Sequence, residues 1–358
     1  MYRRAYTLLI GTAALMLGLA VFASWKLDRK LLDPEGSFLG PSYIRLPLLL
    51  LGALLLDLLP LALWKAHGRP SRVVPVVRER LRTHWTRERA LLVGIGVISF
   101  YLTYVSYRNL KSFLPFVRSD PDAEPGVVKA LSYDRELHIT DRVIFFGNDP
   151  SDVLHAVLGT DLTAHVLSPI YLAFLPLVPL GLTAWLVWSR NLSFGYWFVT
   201  SQCLAWSLGT LSYYLLPTLG PGIAFWPEYN SLAHTGTTDL MDSIVSARGN
   251  VLYGGATQSV NSIAGFASLH CAITLLIALM VQYTLHSKVL KWIFWVNFGL
   301  TVVATLYFGW HYVADDIAGI AIAVVSFYVG GIASGQKFDR HLHSHPTTTT
   351  SKVPVEVD

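Results

Sequence analysis

Residues 290 to 333 read LKWIFWVNFGLTVVATLYFGWHYVADDIAGIAIAVVSFYVGGIA, two apolar runs broken by one polar string, His311-Tyr312-Val313-Ala314-Asp315-Asp316. A hydrocarbon layer of about 30 Å takes roughly 20 helical residues to cross. The stretch therefore dictates a helical hairpin in a membrane, with one histidine and two carboxylates where the second run begins. Working outward, the same length of apolar run recurs, and eight spans are expected at roughly 7 to 25, 44 to 64, 90 to 107, 163 to 188, 194 to 216, 266 to 285, 290 to 308 and 312 to 333. The expected fold is an all-α polytopic integral membrane bundle.

Composition agrees. Over 358 residues, 53% are hydrophobic, only 14% are charged, and mean hydropathy is +0.46, which is too apolar for a soluble domain and excludes disordered, collagen-like and coiled-coil chains. Cys203 and Cys271 both lie in apolar runs, so neither a disulfide framework nor a thiolate zinc cluster is available. The net charge of +4 does not indicate a nucleic-acid partner, because the basic residues gather in one loop between spans. The first span follows Arg3 and Arg4 and lacks a small-residue cleavage site, so it is read as a retained anchor.

That basic loop carries Lys65, Arg69, Arg72, Arg78, Arg80, Arg82, Arg87 and Arg89 against Glu79 and Glu88, and the positive-inside bias places it in the cytoplasm. Alternation then puts both termini inside, and segments 109 to 162 and 217 to 262, each with an acidic excess, outside. Three regions follow: 1–89, two spans and the basic loop; 90–335, a six-helix catalytic core; and 336–358, a disordered cytoplasmic tail. Helix-like stretches at Val127 to Leu137 and Asp152 to Leu158 suggest that the outer segment lies over the membrane face as a lid or connector. Asp57, inside the second span, is either functional or paired with a neighbouring helix.

The chemistry centres on two polar segments. Ser268-Leu269-His270 opens the sixth span, and His311 to Asp315 opens the eighth. The histidines are 41 positions apart, about 60 Å of helix, or two crossings, so they return to one level. On a helix Asp315, four residues after His311, shares its face and can hold one imidazole nitrogen, leaving the other to attack, while Asp316 points away. A second histidine can supply the leaving-group proton. Trp310 and Tyr312 suit an interfacial aromatic belt.

These residues resemble the signatures of the membrane-bound type 2 phosphatidic acid phosphatase superfamily: Ser268-Leu269-His270 matches its Ser-x-His segment and His311 to Asp315 its His-x-x-x-Asp segment. The string His-Tyr-x-x-Asp-x-x-Ala-Gly, ending at Gly319, is most similar to the inositol phosphorylceramide synthase branch. The resemblance covers about residues 90 to 333. It implies a His311 nucleophile, an orienting Asp315, a His270 general acid, and Ser268 and Leu269 at the start of a helix whose N–H groups hold phosphate oxygens.

Two departures stand out. The superfamily's Lys and Arg-Pro motif has no counterpart where this chain reads Pro217 to Gly222, and Thr305 stands where the superfamily has an arginine. Arg248 is the one Lys or Arg between 217 and 262 and is either the phosphate cation or a solvated loop charge, while Gly220 and Gly222 either shape a headgroup pocket, with Tyr312 as a further candidate substrate contact, or form a simple turn. The expected activity is a lipid phosphotransferase moving a phospho-headgroup from a phosphodiester lipid to a hydroxyl. Its rivals are a lipid phosphate phosphatase, with water as acceptor, and a transporter. No metal or cofactor is expected, and His341, His343 and His345 are read as plain tail residues.

Overall fold

The computed structural model describes residues 2–33, 42–66, 69–120, 122, 130–253, 265–338 and 344–346. It is 80% helical. In chain order come α1 (Tyr2–Leu27), α2 (Ser42–Ala66), α3 (Val73–Thr83), α4 (Arg87–Val117), α5 (Asp134–Ile144), α6 (Pro150–Leu158), α7 (Leu162–Leu172), α8 (Phe174–Thr183), α9 (Leu192–Leu215), α10 (Pro221–Ala224), α11 (Gly236–Tyr253), α12 (Leu269–Thr284), α13 (Lys288–Tyr307) and α14 (Val313–Ala333).

Every expected span is helical, and among the described residues six stretches are long and apolar enough to cross a membrane: 6–27, 43–66, 87–117, 162–188, 288–307 and 313–333. The other two have physical explanations. Helix α9 is long but more polar, because it runs through the middle of the bundle. Its Ser201 and Gln202 are fully buried, and it packs on α1, α4, α12 and α14. Residues shielded from lipid need not be apolar, and small ones let helices approach. Helix α12 is apolar but has only 16 residues, about 24 Å of helix against the ~30 Å layer.

Several boundaries shift. Helix α4 runs on to Val117, ten residues past its expected end, with Thr86 capping its start. Of the expected stretch 127 to 137, residues 127–129 lie outside the described residues, 130–133 are not helical and a helix covers Asp134–Ile144, while Asp152 to Leu158 falls within α6 as expected. In the tail, Gln336–Phe338 pairs antiparallel with Ser344–Pro346, so the expected disorder gives way there to a short ribbon that includes His345, while His341 and His343 lie outside the described residues. Asp57 is paired with a neighbouring helix, as one of its two readings had it: Arg80 of α3 donates to it from Nη2 at 2.7 Å and Nε at 3.1 Å. Arg89 is buried, donating to the carbonyls of His84 and Leu186. Two of the eight basic residues therefore have structural work beyond charge bias.

Candidate active site

The loop that carries His311 joins α13 to α14. Tyr312 is the N-cap of α14, so His311 precedes the helix instead of lying on its first turn. The contact expected from helical spacing forms by another route. Asp315, the third residue of α14, reaches back over the helix start, accepts from the Tyr312 N–H at 3.0 Å and lies 3.3 Å from His311 Nδ1. This is a capping arrangement, which satisfies an exposed helix N–H and fixes the imidazole at once. With Nδ1 turned to the carboxylate, Nε2 is the free nitrogen. The ring of His270, in the first turn of α12, stands 6.1 Å from that of His311 between centroids. The two segments expected to return to one level do meet.

Ser268 and Leu269 are placed differently from expectation. Ser268 is fully buried, and its hydroxyl caps α12 by accepting from Cys271 N–H at 3.3 Å, while its own N–H donates to the Asp315 carbonyl at 2.9 Å. Its side chain is thus committed to the start of α12, and its backbone N–H joins the two segments. The Leu269 side chain is buried in the main core, over Gly209 of α9. Gly319 shows why the pattern ends in glycine, since a Cβ there would come within 2.3 Å of the Ser268 carbonyl oxygen. Asp316 points away from His311, as expected, and accepts from Cys271 Sγ at 2.9 Å and from Thr305 Oγ1 at 2.8 Å. The threonine at the arginine position is therefore a partner for this buried carboxylate.

Segment 130–160 is clamped onto this centre. Asp134 is buried and accepts from Gly220 N–H at 2.9 Å, from Leu219 N–H and from the Tyr312 hydroxyl at 2.9 Å, with Ser132 also donating. Asp141 accepts from Val313 N–H at 3.1 Å, at the start of α14. Burial raises the Asp141 carboxyl to about 7; the Val313 hydrogen bond opposes this, and Asp315, Asp149 and Asp316 add to it. His155 Nε2 bonds the Tyr307 carbonyl at 2.8 Å. Segment 130–160 is thus a wall of the site and not a freely moving lid. Gly220 has φ +91, and a Cβ there would meet the Trp310 carbonyl at 2.5 Å; Gly222 donates from its N–H to the Gly309 carbonyl at 2.7 Å. These glycines shape the site by letting two loops touch. Tyr312 is 1% exposed, so it is a buried strut and not a belt anchor.

Around His270 the surface is aromatic, with Tyr171 at 4.3 Å and Phe174 at 4.2 Å between ring centroids. Trp310 stacks on the far side of Tyr171 at 5.5 Å. Lys111, near the outer end of α4, lies within electrostatic reach of His270 and of Arg248 on α11, and its Nζ stands 3.4 Å from the Tyr107 hydroxyl. Arg248 is half-buried and lies within electrostatic reach of Lys111. Lys111 carries no local signal, since an apolar run that ends near 107 puts it in a loop and only the continuation of α4 to Val117 brings it here. Asp134 and Asp141 carried no local signal either.

A small cavity opens beside His311. His138, Asp141, Asp149, Glu228 and Tyr312 are among its lining residues. A family model described as the PAP2 superfamily matches residues 135–329, more than half of the chain. No curated protein and no solved structure matches.

Proposed function

The chain belongs to the PAP2 superfamily and is an integral membrane protein, and from that premise we propose that it is a lipid phosphotransferase working through a phosphohistidine. Membership points to lipid phosphatase or phosphotransferase chemistry. The observation that carries the reading is the buried His311, held at Nδ1 by Asp315 with the His270 ring 6.1 Å away. His311 Nε2 attacks the phosphorus of a phospholipid. The N–P bond forms, the P–O bond to the diacylglycerol breaks, and His270 gives its proton to the departing oxygen. An acceptor hydroxyl then passes its proton to His270 and attacks phosphorus, which frees His311. Asp315 holds the tautomer and offsets the charge that develops on the ring.

Charge favours a phosphodiester donor of the kind used by the inositol phosphorylceramide synthase branch. A phosphomonoester near neutral pH brings close to two negative charges. Lys111 and Arg248 stand in for the superfamily's Lys and two Arg, one cation fewer. An under-compensated dianion is costly at a low-dielectric boundary, and a monoanionic diester much less so. The acidic excess of the loops around the site supports an extracytoplasmic active face with both termini in the cytoplasm.

Phosphatidic acid and phosphatidylinositol, offered separately to the purified protein with a panel of lipid and sugar alcohols, test the reading. Headgroup transfer from the second with little inorganic phosphate from the first is expected. Rapid phosphate release from phosphatidic acid, with phosphatidylinositol untouched, replaces it with a lipid phosphatase.

A further inference from the structure

The cavity beside His311 has a wall that the proposed reaction leaves unused. His138 of α5, Asp149 at the N-cap of α6 and Glu228 in the turn Trp226–Tyr229 bring one imidazole nitrogen and two carboxylates together, with donor atoms all within 4.8 Å of one another. Asp149 is only 8% exposed, yet its Oδ1, turned into this cluster, has no hydrogen-bond partner among the described residues. It lies 3.3 Å from His138 Nδ1 without a hydrogen bond joining them. A buried carboxylate oxygen left in that state costs free energy unless something else takes it up.

The spacing says what that is. Two ligands held about 2.1 Å from a tetrahedral ion stand roughly 3.4 Å apart, close to the separation of Asp149 Oδ1 from His138 Nδ1. The His138 ring is fixed by stacking on Phe225 at 4.2 Å between centroids, and Glu228 is exposed, so its carboxylate can swing inward. The nearby Arg142 does not fill the space, because its guanidinium donates to the Gly147 carbonyl at 2.9 and 3.1 Å.

We propose that His138, Asp149 and Glu228 bind a divalent transition-metal ion, Mn²⁺ or Zn²⁺. Mixed imidazole and carboxylate donors with no thiolate suit these ions. Three protein ligands leave coordination positions open, and the open side is the cavity that His311 and Tyr312 also line. The ligands come from three separate segments, so the ion ties the outer wall together where it holds the His311 loop. An open position there can also take a headgroup or acceptor oxygen. Cation binding needs no phosphoryl transfer at His311, so it stands or falls apart from the proposed reaction.

The test is Mn²⁺ binding to the purified full chain, stripped with a chelator, followed by electron paramagnetic resonance, with Zn²⁺ as competitor. One saturable site per chain, displaced by Zn²⁺, is expected. Asp149→Asn should abolish binding, and the surface change Glu228→Gln should weaken it by about tenfold or more. Asp161→Asn, at a carboxylate that is 89% exposed and outside the cluster, should leave it unchanged. Absence of saturable Mn²⁺ or Zn²⁺ binding up to millimolar concentration overturns the proposal. So does unchanged affinity in a folded Glu228→Gln protein.

Discussion

The Tyr312 hydroxyl donates to the Asp134 carboxylate at 2.9 Å across 178 positions of sequence, so the residue beside His311 is held by a helix outside the membrane. The same carboxylate takes the N–H groups of Leu219 and Gly220. Tyr312→Phe removes one hydrogen bond to a charged group, worth about 1.5–3 kcal/mol, and should lower thermal stability modestly with partial turnover. Asp134→Ala frees four donors at once, those of Ser132, Leu219, Gly220 and Tyr312, and should cost more in both. Equal effects of the two substitutions, measured by melting in detergent and by turnover, would contradict this account of Asp134 as a hub.

Gly319 offers a test of how the two motif segments are locked together. A Cβ at 319 meets the Ser268 carbonyl oxygen at 2.3 Å, and backbone cannot move aside as a side chain can. Gly319→Ala should therefore destabilise by about 1–3 kcal/mol and lower turnover. Gly299→Ala, where nothing lies within 4 Å, should be nearly silent. A Gly319→Ala protein that melts and turns over as wild type does would show that α12 and α14 are not so closely joined.

Stability should also depend on pH through Asp141. Burial holds its carboxyl at about 7 in the folded chain, with Asp315, Asp149 and Asp316 acting in the same direction and Val313 N–H against them. A group that binds its proton more tightly folded than unfolded stabilises fully below the usual carboxylate range, and loses that contribution as pH rises through about 7. The melting temperature should accordingly fall from pH 5 to pH 7.5, and less steeply in Asp141→Asn. An identical slope in the two proteins would contradict the assignment.

Much of this was legible from local features. Apolar runs of crossing length mark the helices, the 41-residue interval brings His270 and His311 to one level, and four-residue spacing joins His311 to Asp315. What escaped was set by packing. His311 lies before the helix because Tyr312 caps it, a choice of register that spacing does not reveal. Leu269 and Ser268 turn inward because α9 and α14 pack over them. Asp134 and Asp141 look like loop charges until the outer segment folds onto α14, and Lys111 looks like one until α4 is seen to continue to Val117.

Membrane orientation is open to direct labelling. Ser71 lies in the basic loop and Ser231 in the outer loop, and the two native cysteines are buried. In a chain lacking Cys203 and Cys271, Ser231→Cys should react with an impermeant reagent added from outside, and Ser71→Cys only after permeabilisation. The opposite pattern would turn the site to the cytoplasm.

The central claim is that His311 becomes covalently bonded to phosphorus during turnover. Headgroup-labelled phosphatidylinositol, mixed with purified protein in the absence of acceptor and quenched rapidly, measures this. Wild-type protein should carry the labelled phospho-headgroup in an acid-labile, alkali-stable linkage that a hydroxyl acceptor discharges, and His311→Ala protein should carry none and turn over nothing while remaining folded. Near-normal turnover by His311→Ala would contradict the account.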